Sequence, residues 1–218
     1  GWTYQYYHIP ERERLKKTKE KIDHISVIFQ SQQYTPLWVV KYLVDNTLGR
    51  LYLEMYPDSS LYEELDVPVP RHELKRERKP INLEEIKILD PACGSGNFLI
   101  YSFELLTKMY MERGYERNRI PERILKCNLH GIDIDDRAIQ LTILGLYLKA
   151  KSFTRDRLKY TFNVVSTDFH LFDGERLKSI KAQYKSDRNI LSLLDLIWKR
   201  FNDAKVLGSL LDINYDLE

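Results

Sequence analysis

Apolar and polar positions alternate along this chain in two rhythms. Leu37, Val40, Leu43, Val44 and Leu48 recur at three- and four-residue steps, the spacing that puts side chains on one face of a helix. Thr35 and Pro36 stand immediately before them and read as a capping residue and a first helical residue. Further on, Ile86 to Asp90 is a short apolar run closed by an acid, and Phe98, Leu99, Phe103, Leu106 and Tyr110 resume the helical step. Leu129 to Ile134 reads as a second strand, Ala138, Leu141, Leu144 and Leu148 as a second helix, and Phe162 to Thr167 as a third strand reaching Asp168. Such strand–helix alternation predicts an α/β fold with a mostly parallel sheet and helices on both faces. Leu191, Leu194, Trp198 and Phe201 predict one more helix over Ile190 to Phe201.

Outside this core the pattern is looser. Trp2, Tyr4, Tyr6 and Tyr7 suit a short strand or part of a helical bundle, and the charge-dense run from Glu11 to Lys21 suits a solvated helix face. Pro57 to Pro80 holds four prolines and, between Arg71 and Lys79, five basic residues. It reads as a surface loop or linker whose cations can touch phosphate but more ordinarily face water. Two regions are expected: a helical extension over residues 1–80, and a sheet-based part over 81–218. The chain opens on Gly1 rather than Met and is read as a fragment of a longer protein.

Composition adds exclusions. A net charge of +2, from 34 basic and 32 acidic residues, does not by itself announce a nucleic-acid partner. Cys93 and Cys127 are the two cysteines, too few for a disulfide framework or a zinc site, so a cytoplasmic protein without bound metal is expected. No apolar run has the length of a membrane span, and no signal peptide opens the chain.

The candidate chemistry lies where the first strand turns into its helix. There the chain reads Asp90-Pro91-Ala92-Cys93-Gly94-Ser95-Gly96-Asn97-Phe98. In open parallel sheets ligands bind beyond the carboxyl ends of the strands, and glycines let the backbone approach them closely. A dinucleotide fingerprint needs a third glycine where Leu99 stands. A phosphate-binding P-loop needs Gly-Lys-Ser/Thr, which is absent. Gly131-Ile132-Asp133-Ile134-Asp135 ends the second strand on an acid, and a carboxylate there can accept hydrogen bonds from both hydroxyls of a ribose. Asp135 and Asp136 read instead as helix-capping acids.

The glycine stretch closely resembles motif I of DNA methyltransferases that act on the exocyclic amino group of adenine. Gln33-Tyr34-Thr35-Pro36 resembles their motif X, and the order X, I, II, III excludes the permuted class. The opening aromatic residues, Tyr34 to Val44 and Leu48 to Glu54 further resemble the large methyltransferases of BREX-type phage-growth-limitation systems and combined restriction–methylation enzymes. The resemblance implies a Rossmann-like methyltransferase fold, S-adenosyl-L-methionine as cofactor, and double-stranded DNA and other defence proteins as partners of the full-length protein.

It also implies roles for individual residues. Residues 90–98 form the cofactor loop, and Tyr34, Thr35 and Pro36 hold the methionine carboxylate at a helix N-terminus. Asp133 takes the ribose, Ile134 packs on the adenine ring, and Asp168 and Phe169 contact the adenine amino group and ring. Cys93 is expected to be a small packing residue rather than a nucleophile. The Asp/Asn-Pro-Pro-Tyr/Phe motif that positions the attacking nitrogen in this family has no counterpart, because the chain contains no Pro-Pro. The chain is therefore expected to hold cofactor-binding residues but no catalytic ones. Two other readings stand beside this one: a protein-glutamine or RNA methyltransferase, and a non-enzymatic defence subunit that keeps the fold to bind DNA or partners.

Overall fold

The computed structural model describes residues 35–74, 78–154, 162–167, 174–185 and 187–201, with Tyr6, Ile9, Pro10, Glu13, Arg14, Leu15 and Lys17 in the N-terminal stretch. Tyr6, Ile9 and Pro10 are helical, which favours the helical reading of the opening at those residues. Glu13, Arg14 and Lys17 are exposed on a helix, as the charge run predicts. The chain forms two compact units, residues 1–10 with 32–167, and residues 11–31 with 168–218.

The first unit is built on three parallel strands, β1 (Ile88–Asp90), β2 (Leu129–Asp133) and β3 (Asn163–Ser166), in the order β1-β2-β3. The register sets Asp90 opposite Gly131, and Asp133 opposite Ser166. Between the strands run the helices α3 (Asn97–Glu112) and α5 (Asp136–Lys151). Ahead of the sheet, α1 (Leu37–Val44) passes through a π-turn, Asp45–Gly49, into α2 (Arg50–Met55). After α3 the chain forms a short helix α4 (Ile120–Arg123) and a second π-turn, Ile124–Asn128.

Both long helices end by identifiable chemistry. Asp135 caps α5, its carboxylate accepting from the Arg137 N–H at 3.0 Å, so the predicted capping role is met by Asp135. At the end of α3, Gly114 turns left-handed at φ 78°. The N–H groups of Gly114 and Tyr115 then donate to the carbonyls of Met111 and Tyr110, a glycine-closed helix end. Leu99, Phe103, Leu106, Met109 and Tyr110 of α3 are fully buried with Val40, Tyr52, Ile120, Ile124 and Leu146 in one continuous core.

The helices α3 and α5 pack on each other and on the same face of the sheet, the face that carries Gly131 and Val164. On the opposite face Leu89 and Val165 remain 59 % and 54 % exposed. The two crossover helices of the first unit, α3 and α5, thus share one face of the parallel sheet. One-sided cover follows from the contact between α3 and α5, since two helices that touch each other cannot lie on opposite faces.

Two local expectations are corrected. Thr35 makes no capping hydrogen bond; Pro36 is itself the residue before α1, its carbonyl accepting from Val39 and Val40. Val40, Val44 and Leu48 are buried, yet Leu37 and Leu43 of the same apolar series are exposed. The described part of the proline-rich stretch is a largely exposed loop with short helical turns, in keeping with the surface-loop reading, and it is held to the fold by named contacts. Asp45 and Asn46, in the first π-turn, accept from the N–H groups of Asp66, Val67 and Val69 at 2.7–3.0 Å. Arg71 pairs with Glu63 and lies over the Tyr62 ring, and Arg78 pairs with buried Glu54. Of the three described cations, Arg71, Arg78 and Lys79, the two arginines are thus engaged within the fold.

The second unit contains α6 (Gly174–Gln183) and α7 (Arg188–Phe201), which touch each other. The α7 helix was predicted, two residues short at its start; α6 has too few apolar positions to announce itself.

Candidate cofactor site

The glycine stretch leaves β1 and folds back on the end of β2. Cys93 N–H donates to the Ile132 carbonyl at 2.9 Å, and Gly96 N–H to the Cys93 carbonyl at 2.8 Å. Gly94 and Gly96 adopt φ values of 51° and 82°, the left-handed region that costs a residue with a Cβ about 1–2 kcal/mol. A Cβ on Gly96 would also stand 2.8 Å from the Thr142 side chain. Both glycines are therefore required by geometry. Gly131 is required from below: a Cβ there would meet Leu99 of α3 at 2.7 Å, so this glycine lets the helix settle on the sheet.

Asp133 ties the loop to β2. Its Oδ2 accepts from the Gly94 N–H at 2.7 Å and its Oδ1 from the Asp135 N–H at 2.9 Å. Each carboxylate oxygen can accept a further hydrogen bond, and the side chain is half-buried. Asp90 is arranged differently. Its Oδ1 accepts from the Ala92 N–H at 3.2 Å, while Oδ2 is buried without a hydrogen-bond partner. Burial raises the Asp90 carboxyl above its ordinary range, the Ala92 N–H opposes this, and the Asp133 charge adds to it. Two carboxylates thus converge on one loop, one of them with an unused acceptor oxygen.

Cys93 is buried behind the loop, and burial together with the Asp133 and Asp90 charges pushes its thiol up to about 11. It is protonated at neutral pH and unsuited to nucleophilic attack, as the sequence suggested. Ser95 is nearly buried, Asn97 and Phe98 are half-buried at the start of α3, and Pro91 and Ala92 are exposed at the loop's tip. Ile134 is half-buried directly after Asp133. Thr35 and Pro36 lead into α1, which packs on α3, the helix that the loop opens. Tyr34, Asp168 and Phe169 lie outside the described residues.

Thr142 is the member of this site that sequence reasoning missed. It is fully buried on α5, and its hydroxyl donates to the Gly94 carbonyl at 2.8 Å. The signal was faint: one hydroxyl in the helix face that contains Ala138 and Leu146. Among the described residues no group of three or more His, Cys, Asp or Glu can hold a metal ion, and no helix is long and apolar enough to cross a membrane.

The family described as the MmeI DNA-methyltransferase domain matches residues 70–178, the stretch that contains β1, the glycine loop, β2 and β3. Adenine-specific methyltransferase BrxX of Escherichia coli O9:H4 (strain HS) is 32 % identical over 98 % of this chain and 20 % of its own length. Adenine-specific methyltransferase PglX of Lacticaseibacillus casei (strain Zhang) is 34 % identical over 97 % of this chain and 19 % of its own. The type II methyltransferase M.BstVI of Geobacillus stearothermophilus is 28 % identical over 47 % of this chain. The chain spans about a fifth of the length of the first two relatives. With a parallel sheet, a glycine loop at its carboxyl end and an acid on the neighbouring strand, this chain belongs to the MmeI DNA-methyltransferase domain family.

Proposed function

We propose that this chain is the S-adenosylmethionine-binding part of a site-specific DNA methyltransferase of a restriction–modification or phage-defence system, acting in the cytoplasm on the exocyclic amino group of adenine. The observation that carries the reading is the buried, unpartnered Oδ2 of Asp90 beside a glycine loop held by Asp133. Two nearby carboxylates with no cation paired to them among the described residues suit a ligand that brings positive charge, and the methionine ammonium and sulfonium of the cofactor supply it. The remaining acceptor capacity of Asp133 suits the ribose hydroxyls. Ile134 offers an apolar surface for the adenine ring, and Thr35 with Pro36 a helix start for the methionine carboxylate. Tyr34, Asp168 and Phe169 complete the proposed set by resemblance. Residues of the 90–98 loop hold the cofactor's chain against the sheet.

When bound, the cofactor supplies an electrophilic methyl group on sulfur. Loop and acids orient it by fixing where its charged and polar ends sit. The adenine nitrogen is a weak nucleophile that a methyltransferase must orient on a flipped base. The chain contains no Pro-Pro motif, and on this reading that task falls to other parts of the full-length protein. The names of the relatives, adenine-specific methyltransferases with DNA-modifying kin, support DNA over a protein or RNA substrate.

The test is a calorimetric titration of the full-length protein with S-adenosylmethionine, alongside Asp133→Ala, followed by a search for N6-methyladenine in DNA incubated with both. Saturable binding and site-specific adenine methylation, both lost in Asp133→Ala, are expected. A folded protein that binds no cofactor overturns the reading. Binding with methylation of protein or RNA instead overturns the substrate.

A further inference from the structure

We propose that Thr142 is a positioning residue for the cofactor loop, its hydroxyl fixing the Gly94 peptide from the side opposite Asp133. This rests on the cofactor-binding reading above. Gly94 stands at φ 51°, where the preceding and following peptide planes are set by what they bond to. Its N–H donates to Asp133 Oδ2 at 2.7 Å, and its carbonyl accepts from Thr142 Oγ1 at 2.8 Å. One peptide group on either side of the left-handed residue is therefore held, one from the end of β2 and the other from the second turn of α5. The Cys93 thiol, 4.0 Å from the same carbonyl, is too distant and too weak a donor to replace the hydroxyl.

Thr142 acts twice. Its methyl and Cβ stand 2.8–3.1 Å from the place a Cβ on Gly96 would occupy, so the side chain fills the space under the second glycine while its oxygen holds the first. A threonine in a helix ordinarily bonds back to a carbonyl one turn earlier. Here the hydroxyl is instead directed off the helix to a carbonyl 48 residues away in sequence. Capping and turn signals do not require it there, and the core has no use for a hydroxyl. What it orders is the backbone that must meet the cofactor closely. The loop is thereby pre-shaped before binding, which spares the cofactor the cost of ordering it.

Thr142→Val keeps the volume beside Gly96 and removes the donor; Thr142→Ser keeps the donor and removes the methyl. Thr142→Ala, which removes the donor without a methyl against the Gly94 carbonyl, is the second variant should Val perturb folding. The full-length wild-type protein and the three variants are titrated with S-adenosylmethionine, and thermal unfolding without cofactor is followed in parallel. Loss of one hydrogen bond that shapes the site predicts about five- to tenfold weaker binding for Val and Ala. Thr142→Ser is expected within twofold of wild type, at an unfolding midpoint no higher than that of Val. Val or Ala that bind within twofold of wild type, or Ser as weak as Val, overturn the proposal while leaving the cofactor reading intact. A wild-type protein that binds no cofactor defeats the cofactor reading itself, and this one with it.

Discussion

Asp90 and Gly96 show how the loop trades stability for a shaped surface. The Asp90 carboxyl is raised by burial, by loss of water that the Ala92 N–H only partly offsets, and by the Asp133 charge. A carboxyl raised above its unfolded value contributes stability that is present below the unfolded value and lost as pH rises through the folded one. Asp90→Asn is therefore expected to raise the thermal midpoint of the cofactor-free protein at pH 7. The gain should fade as pH falls below the ordinary carboxylate range, while cofactor binding weakens by at least tenfold. A variant no more stable than wild type at pH 7 would show that the unpartnered oxygen carries no penalty. Gly96→Ala adds a Cβ at φ 82° and 2.8 Å from Thr142. We expect it to lower stability by about 2–4 kcal/mol and to abolish measurable cofactor binding, as read by denaturant titration and calorimetry.

The elements are joined by buried polar groups that the hydrophobic pattern does not reveal. Asn128 is fully buried at the end of the second π-turn. It donates to the Leu83 and Ile86 carbonyls at 2.7 and 2.8 Å and accepts from Tyr110 at 3.0 Å. It thus fixes the chain entering β1 to α3 and to the start of β2. At the far end of α3, Glu112 accepts from the Tyr52, Ser59 and Ser60 hydroxyls and the Ser60 N–H, tying α2 and the turn after it to the sheet unit. Burial pushes the Glu112 carboxyl up, but these hydrogen bonds outweigh it and hold it below its ordinary value. Its contribution is present above the unfolded value and lost as pH falls through the folded one. Glu112→Gln should cost about 1–3 kcal/mol at pH 7, a penalty that shrinks toward pH 3. Urea titrations at the two pH values check this, and an equal penalty at both would contradict it.

At the scale of the molecule, the first unit places two acids and a glycine loop at one end of a parallel sheet, and the 218 residues contain no Pro-Pro motif. The isolated chain is expected to bind S-adenosylmethionine and to transfer no methyl group to DNA, while the full-length protein does both. Radiolabelled cofactor and mixed-sequence duplex DNA distinguish the two, and methylated DNA from the isolated chain would refute the division.

Periodicity alone located the three strands and the helices α1, α3, α5 and α7, because burying one face of a helix or strand imposes its repeat on the residues. The turn at the glycine stretch was legible for a related reason: a backbone that turns left-handed disfavours a Cβ, and that preference is written in residue type. Tertiary structure alone decided which face of the sheet α3 and α5 cover, since a parallel strand of three to five residues reads the same from either side. It alone decided that Leu37 and Leu43 are exposed while Val40 and Val44 are buried, because that depends on where α3 lies. It alone brought the Thr142 hydroxyl to Gly94 and the Asp133 carboxylate to the other side of the same residue. Hydrogen bonds across 48 and 39 positions leave no periodic trace, because their spacing is set by how helices and strands pack rather than by the repeat of either.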